Sequence, residues 1–139
     1  MRPLFPPRPI LGPIEIPSAY VVSVPAPIFI RHYGLVSDVV RHGAPDVISL
    51  PNAKGGVVEE SWEEFAGGNP VRVDGYLGSY PPSVVLDRAR SCIGQLPWRF
   101  SFNCEHFVSW CHGLEPRSPQ LENWIAVAGL GALMAKFWK

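Results

Sequence analysis

Charge is what this chain has little of. Only 17% of its 139 residues are charged, and its twelve basic side chains are cancelled by twelve acidic ones. A chain with no net charge sets up no global field that would gather nucleic acid or anionic lipid, so no specific nucleic-acid binding is expected. Cysteine is scarce too, at three: Cys92, Cys104 and Cys111. An odd number behind a proline-rich start, with no apolar signal core, argues against a secreted disulfide framework and for an intracellular site, cytoplasmic or peripheral to membranes. Long apolar runs are also missing. Trp124 to Trp138 carries one charge, Lys136, but at about 1.5 Å per residue it reaches roughly 22 Å, short of the ~30 Å of a hydrocarbon core. This stretch fits a docked terminal helix, a membrane-associating interfacial helix, or part of a longer anchor. No internal repeat is visible.

What is present is apolar mass and proline. Hydrophobic residues make up 47% of the chain, enough for one ordinary domain with a core. Eight of the sixteen prolines fall in the first 27 positions, where they forbid a helix and give an extended arm over residues 1–27. Ile10, Leu11, Ile14, Ile16 and Tyr20 are its candidates for burial. A main domain over 28–120 and an apolar segment over 121–139 complete the organisation.

Tyr20 to Val24 and Ile28 to Val36 are rich in β-branched and aromatic residues and read as strands; Asp38 to His42 and Asp46 to Leu50 are two shorter ones. A turn at Ser37-Asp38 would bring His32 and His42 onto neighbouring strands. Ser61 caps a short helix that stops at Gly67-Gly68, Val71 to Val73 suits a strand, and Ser83 caps a helix running to Gly94. Trp98 to Phe102 is extended, and Asn103 opens a further helix ended by Gly113. Strands followed by helices give an α+β domain, a small antiparallel sheet packed against helices.

The most informative run is Asn103-Cys104-Glu105-His106-Phe107-Val108. Asparagine caps helices well, so Cys104 falls in the first turn, where free amides and the helix dipole favour a thiolate. A partner imidazole would complete the activation, and His32 and His42 are the candidates. Zinc fits poorly, because Cys104 and Cys111 lie roughly 10 Å apart along a helix axis. Neither a metal nor a cofactor is expected. His106 sits about 200° around the helix from Cys104 and is expected to be structural or to hydrogen-bond in the first turn; His112 reads as an ordinary histidine at a helix C-terminus.

These residues carry a resemblance. Asn103 to Val108 resembles the signature of the lecithin:retinol acyltransferase family, a branch of the NlpC-type papain-like superfamily with a circular permutation that puts the histidine strand before the nucleophile helix. His32-Tyr33-Gly34 resembles its histidine box, and Trp62-Glu63-Glu64-Phe65 with Gly67 resembles its midsection. Arg88 to Gly94 and the Gly113 to Gln120 region agree as well. The resemblance implies a thiol acyltransferase or phospholipase in which Cys104 attacks a glycerophospholipid or other acyl ester, with His32 as base and His42 orienting it. His42 follows His32 by only ten positions, about two fewer than usual, an even change that keeps strand faces in phase. Picornaviral 2A proteins of the H-box/NC kind share the histidine box and the Asn-Cys pair. They imply the alternative, a non-proteolytic protein of viral RNA replication in the host cytoplasm.

Overall fold

The computed structural model describes residues 13–27, 30–51, 55–95, 103–115 and 120. After a 3-10 turn at Pro13–Glu15 come β1 (Val21–Pro25), β2 (Arg31–Arg41), β3 (Ala44–Ser49) and β4 (Val58–Glu60). They are followed by α1 (Trp62–Ala66), β5 (Arg72–Gly75), α2 (Pro82–Arg90) and α3 (Cys104–Cys111). Among the described residues the strands form one sheet in the order β4-β3-β2-β1-β5, every pair antiparallel. The domain is α+β.

Strand alternation divides the core in two. Val21, Leu35 and Ile48 point to one face and pack against Val85, Leu86 and Ala89 of α2 and Phe107, Val108 and Cys111 of α3. Val22, Val24, Val36 and Val47 point to the other and pack against Phe65 of α1 and Ile16. The sheet is therefore covered by α2 and α3 on one side and by α1 on the other, and α3 lies chiefly over β2.

The hairpin differs from its expected form. Ser37-Asp38 does not turn the chain. Ser37 is buried, its hydroxyl accepts the Val39 N–H at 3.0 Å and donates to Glu59 at 2.6 Å, and the register shifts between Val36 and Val40. A buried hydroxyl that supplies its own backbone with a hydrogen bond makes a bulge inside a continuous strand. The turn lies at His42-Gly43, with φ of 52° and 76° between the paired Arg41 and Ala44. Positive φ at both central residues is what a tight two-residue hairpin requires.

Other segments lie close to expectation. Ser61 caps α1 and Gly67 ends it in the left-handed conformation. Ser83 does not cap the second helix: α2 starts at Pro82 with Pro81 as N-cap and no side-chain capping bond, because proline, which has no N–H, suits a first turn whose amides have no helical acceptor. It ends at Arg90, short of Gly94. Residues 21–25, which fall within the expected arm, form a strand between β2 and β5. Ile16 is buried, whereas Ile14 is exposed. Ile10, Leu11, the extended run at Trp98 to Phe102 and the apolar segment 121–139 lie outside the described residues.

Candidate active site

The site forms where α3 begins against the end of β2. Asn103 is the N-cap, and its Oδ1 accepts the Glu105 and His106 N–H groups at 3.0 and 3.4 Å. His106 returns the bond, its Nδ1 accepting the Asn103 N–H at 3.0 Å. This reciprocal capping box fixes the first turn, and His106 has the hydrogen-bonding role expected of it. Cys104 is buried in that turn.

Cys104 meets the edge of β2. Strand β3 leaves its pairing at Gly34↔Ser49, so the backbone before Gly34 is free on that side. The thiol lies 3.9 Å from the Arg31 carbonyl oxygen, and the Tyr33 backbone N–H faces its sulfur. Cys104 thus straddles the His32 residue from its two neighbours. Gln120 fills the rest of the edge: its Oε1 accepts the Arg31 N–H at 2.6 Å and its Nε2 donates to the Arg31 carbonyl at 3.1 Å. Its own N–H donates to Glu105 at 3.2 Å.

The His32 side chain is on the α1 face of the sheet. Its ring stacks obliquely on Phe65 with centroids 5.3 Å apart, and Nε2 lies 3.3 Å from the Ser49 hydroxyl. Gly34 makes this packing feasible. A methyl at that position would stand 2.5 Å from Val47 Cγ1 and 2.9 Å from Phe65 Cε2, so any side chain would push Phe65 off the strand beside His32.

Burial decides the protonation states. Desolvation pushes the Cys104 thiol up to about 11, with the Glu105 charge adding to the rise and nearby backbone amides, that of Tyr33 foremost, only partly opposing it. Desolvation pushes His32 down to about 4. At neutral pH the two therefore stand as thiol and neutral imidazole, not as the ion pair that a helix-start cysteine suggests.

The expectation that His32 and His42 lie on neighbouring strands is overturned. His42 sits exposed at the hairpin tip, ten residues from His32 along the same strand direction, roughly 30 Å at ~3.3 Å per residue. The residue that faces His32 from β3 is Ser49, which sequence reading missed because it placed the turn five residues too early. His112 is no ordinary helix-end histidine: it is buried, accepts the Gly78 N–H on Nδ1 at 3.2 Å and pairs through Nε2 with the Ala19 carbonyl at 2.8 Å. Among the described residues no cluster of three or more metal-binding side chains occurs.

A small antiparallel sheet whose histidine strand is abutted by a capped helix carrying a buried cysteine in its first turn defines an α+β protein in which a thiol meets the backbone of the strand that carries His32. The comparisons identify which one. The lecithin retinol acyltransferase family matches residues 18–115, and the human protein phospholipase A and acyltransferase 2 is 32% identical over 110 residues, covering 75% of this chain and 68% of its own. The chain belongs to the lecithin retinol acyltransferase family.

Proposed function

We propose that the protein is a cysteine-dependent acyltransferase or phospholipase A acting on glycerophospholipid esters, on a permuted papain-like fold. The observation that carries the reading is the Cys104 sulfur at the β2 edge, held between the backbone of Arg31 and Tyr33 on either side of His32. A relative named as a phospholipase A and acyltransferase supports the reaction class.

The chemistry follows general-base logic, since the resting pair is neutral. His32 accepts the Cys104 thiol proton as the sulfur bonds to the ester carbonyl carbon. The amides around the sulfur are suited to hold negative charge that develops there. Collapse of the adduct breaks the carbon–oxygen ester bond, and the departing lysophospholipid oxygen takes the proton from His32. The thioester is then attacked by water, an alcohol or an amine, which gives its proton to His32 while the Cys104 sulfur leaves and regains it. Ser49 positions the ring: with Nε2–H donated to its hydroxyl, Nδ1 keeps the lone pair that a base needs. Gln120 holds the strand edge against which Cys104 rests. The apolar sequence from Trp124 to Trp138 gives such an enzyme a means of reaching a lipid surface.

Release of fatty acid and lysophospholipid from mixed phosphatidylcholine–detergent micelles tests the proposal. Wild-type protein should release both, Cys104→Ser should be inactive, and His32→Ala should be slower by roughly two to four orders of magnitude. Undiminished release by Cys104→Ser would overturn it.

A further inference from the structure

A cavity of about 530 Å³ opens on the α3 side of the sheet, within the usual size range of small-ligand sites. One wall is the face of α3 that carries Glu105, Val108 and Ser109, positions three and four apart that share one side of a helix. The facing wall is Val21 of β1 and Tyr33 of β2. Leu77 and Leu114 also line the cavity and remain 42% and 43% exposed, so apolar side chains stand at its mouth.

The cavity reaches the neighbours of the thiol, although Cys104 itself is not part of its lining. Tyr33, whose N–H points at the Cys104 sulfur, and Glu105, the residue after Cys104, both belong to its lining. From this end it follows α3, whose eight residues from Cys104 to Cys111 extend about 12 Å at 1.5 Å per residue. Its charged lining residues are all acidic: Asp74, Glu105 and Glu115. Asp74 is paired with Arg72 at 2.6 Å, and Glu105 accepts the Gln120 N–H. Carboxylates on the lining disfavour an anion inside, which keeps out a phosphodiester headgroup or a fatty-acid carboxylate, while Val21, Val108, Leu77 and Leu114 supply the apolar surface that a hydrocarbon chain needs.

We propose that this cavity holds the acyl chain that is passed to Cys104, lying along α3 between Val108 and Tyr33 with Leu77 and Leu114 at the outer end, and that it sets preference for chain length. The inference rests on the acyl-transfer reading above and assigns that site its chain-binding half. A released fatty acid, once ionised, is repelled by the same carboxylates that leave its ester undisturbed, which favours product departure.

Two measurements on the full chain separate this inference from the reading beneath it. The first needs no catalysis. Cys104→Ala protein is titrated calorimetrically with monododecanoylglycerol below its critical micelle concentration, alone and with Leu77→Trp or Leu114→Trp added. Both leucines are partly exposed, so the folded state should tolerate the change, and Leu77→Ala and Leu114→Ala serve where a tryptophan variant does not fold. Binding should be detectable, weakened at least tenfold by either tryptophan and changed by less than the tryptophan effect with alanine. Equal affinity in all variants, or no binding, would overturn the proposal. The second compares kcat/KM for p-nitrophenyl dodecanoate and butanoate. Either tryptophan should lower the dodecanoate-to-butanoate ratio at least tenfold, whereas an unchanged ratio would overturn the proposal. Chain binding that responds to the tryptophans, in a wild-type protein that turns over neither ester, supports the cavity and counts against acyl transfer.

Discussion

At the scale of single residues, the site is controlled by desolvation. The sequence places Cys104 in a helix's first turn, and the dipole argument alone suggests a ready thiolate. The fold buries that turn against β2, and burial pushes the thiol up to about 11 despite the amides around it. Alkylation of Cys104 by iodoacetamide in the absence of lipid should therefore keep accelerating above pH 9, tracking an ionisation near pH 11. A plateau below pH 8, read by peptide mapping, would show a preformed thiolate instead. The histidines separate in the same way. His42→Asn, which tolerates the positive φ of the hairpin turn, should leave turnover within about twofold, whereas Ser49→Ala should lower kcat about tenfold by freeing the His32 ring. The reverse ranking would return the orienting role to His42.

At the scale of elements, the sequence was legible where capping chemistry marks α1 and α3, less so at α2, where Pro81 stands in place of the expected Ser83 cap, and it failed where a contact across the sheet decided the outcome. Ser61 and Gly67 bound α1 and Asn103 opens α3 as their capping chemistry requires. Removal of that last cap tests its weight: Asn103→Ala should cost about 1 kcal/mol in urea unfolding and reduce turnover as well, because Cys104 lies one residue further on. A stability loss with unchanged turnover would separate the cap from the site. Ser37-Asp38, by contrast, looks like a turn in isolation. The Glu59 carboxylate from β4 and the Arg90 guanidinium from α2 give the Ser37 hydroxyl its further partners, and nothing in the local residues announces them. Because the bulge shifts the register, counting back from the His42-Gly43 turn would still not have paired Gly34 with Ser49. Gln120 was legible only as part of a resemblance, since its bonds to Arg31 join residues 89 positions apart.

For the whole molecule, buried histidines couple the fold to pH. Burial lowers the pKa of His32 to about 4, and that of His112 falls for the same reason. A folded state that takes up these protons less readily than the unfolded chain loses stability as pH falls from the ordinary histidine range near 6.5. Asp38, held below its usual range by its hydrogen bond to Arg90, and Glu59, where burial raises the pKa but hydrogen bonds from Arg90 and Ser37 outweigh it, remain ionised through the upper part of this window and do not oppose the trend. Unfolding free energy should therefore be lower at pH 5 than at pH 7, and the difference should shrink in His32→Gln. Equal or greater stability at pH 5 would contradict the burial of neutral imidazoles. Arg90 also ties the layers together, bonding Glu59 beside β3 and Ser37 and Asp38 of β2 from the end of α2.

The central claim is that Cys104 accepts an acyl group, and intact-protein mass spectrometry after incubation with dispersed phosphatidylcholine tests it most directly. Wild-type protein should gain one fatty-acyl mass, removable by neutral hydroxylamine, and Cys104→Ala should gain none. A folded wild-type protein that forms no such adduct while releasing no fatty acid, or an adduct that persists in Cys104→Ala, would contradict the account; the first of these results would favour a non-enzymatic protein of the viral 2A kind.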